Sequence, residues 1–117
     1  MYNDFVERER FERLVGEVLD SLPEPFRSRL SNLAIIVEDS PPREPDRGGL
    51  LLGLFSGVPR TLKSVFSADL PDHIFLYQKN IEAICSTDAQ IEQQIRDTLL
   101  HEIGHYFGLS EDELRNV

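Results

Sequence analysis

The sequence predicts an α+β fold, a small mixed sheet of about three to four strands packed on an N-terminal helix and a long C-terminal helix. Three observations predict it. Apolar residues recur at helical spacing near both ends of the chain, at Phe11, Leu14, Val15 and Val18 and again at Ile91, Ile95, Leu99 and Ile103. Between them lie short runs rich in β-branched and aromatic residues, set apart by clusters of Pro, Gly and Asp. The last helical stretch is long, opens on a capping signature and carries two of the three histidines.

The first helix is expected over Asn3–Ser21, where Phe11, Leu14, Val15, Val18, Leu19 and Leu22 form one stripe and the charges take the other face. Arg8, Arg10 and Arg13 alternate there with Glu7, Glu9 and Glu12, which reads as a salt-bridged solvent face. Pro23 ends it, and Pro25–Leu30 allows a short helical turn. Leu33–Glu38 reads as a buried strand. Asp39–Gly49, with three prolines and a Gly-Gly pair, can continue neither strand nor helix and is a loop. Leu50–Ser56 is expected as a second strand, Ile74–Tyr77 as a third, and Asn80–Ile84 as a helical turn.

Thr87-Asp88-Ala89-Gln90 is a capping box that starts the last helix. Ile91, Ile95, Leu99, Ile103 and Tyr106 then cluster within about 120° on one side, and His101 and His105 fall opposite, facing a groove.

Composition bounds the function. At 117 residues and 40% hydrophobic, residues 1–117 are expected to form one domain with one core. A net charge of -9 argues against nucleic acid and anionic membrane as partners, since phosphates are repelled by such a surface. The one cysteine, Cys85, excludes an internal disulfide and suits a reducing compartment. The charged first twenty residues lack the apolar segment of a secretory signal, and no apolar run is long enough for a membrane span. The expected location is cytoplasmic.

His101-Glu102-Ile103-Gly104-His105 is the chemically informative segment. Residues four apart lie about 40° apart around a helix, so both imidazoles project from one face, as ligands of a single zinc ion must. Glu102 stands beside that face, where a carboxylate can take a proton from a metal-activated water and pass it to a leaving amine. Gly108 falls where a left-handed cap would end the helix. Beyond that turn Glu111, or alternatively Asp112, is placed to swing back as a third ligand; an upstream residue or a site with two protein ligands are the other options. Ser110-Glu111-Asp112-Glu113 reads equally as the capped start of a short terminal helix. His73 reads as a surface or capping histidine, Asp97 as a solvated carboxylate one turn before His101, and Cys85 as core. Tyr77 and Tyr106 are the phenols available near the site.

His101 to Asp112 resembles the long HExxHxxGxx motif of metzincin-type proteases, with Glu111 where those carry histidine and some relatives aspartate. The wider chain resembles the small bacterial zincin-like metallopeptidases, or minimal zincins, at Leu50–Pro59, Leu70–Tyr77 and Ser110–Leu114. It departs from metzincins in that its only methionine is Met1, so it has no methionine turn. The resemblance implies a minimal zincin-like fold and a zinc-dependent peptidase with one zinc per chain. It also implies that the strand Leu50–Gly57 borders the cleft, where the backbone around Leu52, Gly53, Leu54 and Phe55 would hold an extended peptide or protein substrate. The competing expectation is a zinc-stabilised module that binds a peptide or protein segment with little or no turnover. The sequence is silent on oligomeric state.

Overall fold

The computed structural model describes residues 7–24, 27–30, 33–43, 49–57 and 72–110 of the chain, and seven segments of regular structure lie among them. In chain order these are helix α1 (Arg8–Asp20), a 3-10 turn (Arg27–Leu30), strands β1 (Leu33–Glu38), β2 (Gly53–Ser56) and β3 (Asp72–Tyr77), and helices α2 (Gln78–Ala83) and α3 (Asp88–Tyr106). The fold is mixed α+β, as the hydrophobic periodicities predict.

The sheet has the order β1-β3-β2. β1 runs parallel to β3, with Ile35 opposite Ile74 and Val37 opposite Leu76, and β2 runs antiparallel to it, with Gly53 opposite Leu76 and Phe55 opposite Ile74. Alternation along β3 sends Ile74 and Leu76 to the helix side, where both are fully buried. The other side carries a ladder of rings: His73 stacks on Phe75 at 6.2 Å and Phe75 on Tyr77 at 6.4 Å.

The core forms where α1 and α3 meet that sheet face. Phe11 and Val18 of α1, Ile81 of α2, and Ile91, Ile95 and Leu99 of α3 are buried around Ile74 and Leu76. Fully burying one such aliphatic side chain stabilises the fold by about 1.5–3 kcal/mol, so the α3 stripe alone anchors the helix that carries the histidines. Among the described residues no helix is long and apolar enough to cross a membrane.

Several boundaries differ from expectation. β2 starts at Gly53, three residues late, because β3 gives way to α2 at Gln78 and leaves no strand opposite Leu51, whose carbonyl accepts from Asn80 Nδ2 at 2.8 Å. α2 begins at Gln78 directly after β3, earlier than Asn80, with no connecting loop. The arginines of α1 do not form the intrahelical ladder that their alternation suggests. Arg8 instead reaches the end of β1, donating to the Val37 carbonyl at 2.9 Å, to Gln78 Oε1 at 2.7 Å and to Asp39, while Arg10 pairs with Asp88 of α3 at 2.7 Å. Arg8 thus ties α1 to β1 and α2, and Arg10 ties α1 to α3.

Candidate metal centre and the groove beside it

α3 opens as its capping box requires: the Gln90 N–H donates to Thr87 Oγ1 at 3.1 Å. The Gln90 side chain reaches back one residue further than expected and accepts from the Ser86 N–H. From this start the helix runs to Tyr106 with Ile91, Ile95, Leu99 and Ile103 in the core. His101 and His105 are therefore held half-exposed on the flank, their ring centroids 5.0 Å apart and their planes nearly perpendicular.

The far end of α3 is closed by a turn that also aims a histidine. Phe107 is the C-cap and Gly108 follows at φ 91°, a left-handed conformation that costs an L side chain about 1–2 kcal/mol and glycine little. The Gly108 N–H then donates to the His105 carbonyl at 2.9 Å and the Leu109 N–H to the Gly104 carbonyl at 3.0 Å, the two bonds of a Schellman motif. This geometry brings the Leu109 carbonyl to 2.9 Å from His105 Nδ1. A carbonyl only accepts, so Nδ1 carries a proton, and in the neutral form of the ring the Nε2 lone pair is the one left for a cation.

Glu102 lies between the histidines in sequence and is only 8% exposed. Its Oε1 accepts from the Phe55 N–H of β2 at 2.9 Å. β2 can approach α3 this closely because it carries glycine at position 53: a Cβ there would lie 2.7 Å from Thr98 Cγ2 and 3.0 Å from the Phe75 carbonyl. One turn further along, the Phe55 ring meets Tyr106 edge to face at 5.9 Å. β2 and α3 therefore lie side by side, with Gly53 at Thr98 and Phe55 at Glu102.

Two hollows open along this seam. One, about 410 Å³, is lined by Gly53, Leu54, Phe55, Glu102, His105 and Leu109 among others; the second, about 370 Å³, by Leu52, Gly53, Asp97, Thr98, His101 and Glu102. His101, Glu102 and His105 each offer one ligand atom, and those atoms lie within 4.8 Å of one another. Two imidazoles and a carboxylate converging at that distance fit a divalent ion of borderline softness such as zinc.

The sequence-predicted residues distribute as follows. His101, Glu102 and His105 come together, and Leu52, Gly53, Leu54 and Phe55 border them. Within that strand the backbone alternates. The Leu52 carbonyl accepts from the Tyr77 N–H at 3.0 Å and so faces β3, which leaves Gly53 and Phe55 turned to the outer edge. Glu111 and Asp112, and the short terminal helix read there, lie outside the described residues. Asp97 accepts from Gln93 Nε2 at 2.9 Å and lines the second hollow beside His101. Tyr77 and Tyr106 are both buried and line neither hollow. Cys85 packs against the core, and burial, with the Glu82 carboxylate adding to it, pushes its thiol pKa up, the reverse of what a nucleophile needs. Sequence reasoning misses three participants: the Leu109 carbonyl, the Phe55 N–H as a partner of Glu102, and Thr98 beneath Gly53. Only Gly53 leaves a trace in the sequence, as a glycine inside a strand.

Comparison with known proteins agrees with this geometry. Residues 30–117 match the family described as zincin-like metallopeptidase. No curated protein matches the chain. Among solved structures, a conserved hypothetical protein from Thermo thermophilus is similar in fold, with a TM-score of 0.62 and 23% identity over 94% of this chain and 98% of that one.

Proposed function

This chain belongs to the zincin-like metallopeptidase family, and on that premise we propose that it is a zinc-dependent peptidase that hydrolyses peptide bonds with Glu102 as general base. The observation that carries the reading is the convergence of His101, Glu102 and His105 within 4.8 Å on the flank of one helix, beside the edge of β2. His101 and His105 would hold one zinc per chain, with Glu111, or Asp112, as third ligand. Zinc bound there supplies a Lewis acid that activates water and polarises the scissile carbonyl.

The chain's own residues do the remainder. An extended substrate lies along β2, where Gly53 and Phe55 turn their main-chain groups outward, and is aligned without reading much of its sequence. Glu102 takes a proton from the attacking water as the new C–O bond forms at the carbonyl carbon, and delivers it to the amine nitrogen as the C–N bond breaks. The Leu109 carbonyl fixes the His105 ring throughout. A second reading, a zinc-stabilised peptide-binding module with little turnover, is favoured by one observation: the Glu102 carboxylate is engaged by the Phe55 N–H.

Turnover of an unstructured peptide by zinc-loaded protein separates the two. The peptidase reading expects Glu102→Gln to retain fold and metal while losing about two to four powers of ten in rate. Equal turnover by both proteins removes Glu102 as base, and metal binding with no turnover in the wild type selects the binding module.

A further inference from the structure

We infer that Asp97 selects a basic side chain in the polypeptide that lies along β2, on the His101 side of the candidate metal centre. The inference rests on the peptidase reading for the nature of the occupant. The choice of a basic residue rests on the linings of the two hollows. Both include Leu51, Gly53 and Glu102, and beyond these they differ in character. The hollow beside His105 adds the apolar side chains of Leu54, Phe55 and Leu109. The hollow beside His101 adds Leu52 and three polar residues, Gln94, Asp97 and Thr98.

The polar groups of this second lining favour a donor. Gln94 already spends an amide N–H on Thr98 Oγ1 at 3.1 Å, and its side-chain oxygen can only accept. Asp97 takes one N–H from Gln93 Nε2 at 2.9 Å, while an ionised carboxylate offers about four acceptor positions on its two oxygens. Among the described residues no lysine or arginine lines either hollow, and Asp97 is the one carboxylate there besides Glu102. A positively charged donor completes such a set.

Reach agrees. Asp97 and His101 are four apart on α3, so their Cβ atoms lie about 5–6 Å from each other. A lysine whose backbone passes the histidine pair can lay its methylenes on Leu51 and Leu52 and bring its ammonium to Asp97. The net charge of -9 draws basic polypeptides to the whole surface without choosing a register. Asp97 chooses it. The preferred substrate then carries a basic residue toward the His101 side of the scissile bond and an apolar one toward the His105 side.

The test uses protein with metal removed by chelation, so that nothing is cleaved, and ¹⁵N labelling to follow binding by NMR. The probes are two end-blocked nonapeptides of alternating Ala and Ser around one central residue, lysine in the first and norleucine in the second. Norleucine keeps the stem and drops the ammonium. Asp97 is exposed, so the preference is modest: wild type should bind the lysine peptide about 2- to 5-fold more tightly. Asp97→Asn should bind both alike, and Asp97→Lys should reverse the order. Glu12→Gln removes the same charge from the exposed face of α1 and should keep the preference. Equal binding of the two peptides by wild type, binding of neither, or a preference that survives in Asp97→Asn overturns the inference, as does its equal loss in Glu12→Gln. With zinc restored, Asp97→Asn should raise KM for the lysine peptide and leave kcat unchanged; a fall in kcat for both peptides at constant KM would contradict selection by Asp97. A protein that prefers the lysine peptide and never cleaves either one when zinc-loaded keeps this inference and loses the peptidase reading.

Discussion

His105 Nδ1 lies 2.9 Å from the Leu109 carbonyl oxygen, so the turn that terminates α3 also orients a ring of the candidate metal centre. Folding and chemistry share one local device here. Gly108 supplies the left-handed residue, the two cap hydrogen bonds follow, and the carbonyl that they position fixes which nitrogen of His105 faces outward.

Gly108→Ala should therefore have two effects from one cause. Forcing a Cβ into φ 91° costs about 1–2 kcal/mol of stability, and loosening the carbonyl partner of His105 lowers metal affinity by about tenfold. Denaturant unfolding and competitive zinc titration of the same variant measure both. A loss of stability with unchanged affinity would detach the cap from the metal centre.

Gly53→Ala should lower stability by about 1–3 kcal/mol, since its Cβ meets Thr98 Cγ2 at 2.7 Å and overpacking forces the helix from the strand. Thr98→Ser removes that methyl. The double variant should recover part of the loss, and a double-mutant cycle showing simple additivity would contradict the proposed contact.

Much of this architecture was legible in the sequence, for identifiable reasons. The stripes of α1 and α3, the β-branched run of β1 and the Thr87 cap are local signals, set by residues within a turn or two of each other. So was the pairing of His101 with His105, which depends only on helix geometry. What stayed hidden is non-local. Nothing in the sequence near Arg8 indicates that it reaches Val37, Asp39 and Gln78 rather than a neighbouring glutamate. Likewise the bond between Glu102 and Phe55 joins residues 47 positions apart, and arises only once α3 has docked on the sheet.

Cys85 supplies a pH-dependent prediction. Burial, then the Glu82 carboxylate, raises its pKa above the ordinary thiol value of 9.0. The folded protein then holds the thiol proton to higher pH than the unfolded chain does. Stability is accordingly full below the ordinary value and falls as pH rises through the raised one. Iodoacetamide should alkylate native protein at pH 8 more slowly than unfolded protein, and the Cys85→Ala variant should lose the alkaline decline. Equal alkylation of native and unfolded chains would contradict the shift.

Metal removal should destabilise the fold by mass action, because an ion held between His101 and His105 binds the folded helix pair geometry and not the unfolded chain. At free zinc a hundredfold above Kd the stabilisation is about 2.7 kcal/mol, so chelation should lower Tm by several degrees and zinc should restore it. A Tm indifferent to both treatments would mean that no ion is held by the folded state.

The most direct test of the account is the metal content of the protein after zinc loading and exhaustive desalting, by elemental mass spectrometry, beside His101→Ala/His105→Ala. The two histidines lie outside the buried core, so the variant should keep its circular dichroism spectrum and unfold cooperatively. The account predicts about one zinc per chain in the wild type and almost none in the variant. The same zinc content in both, or none in either, would contradict it.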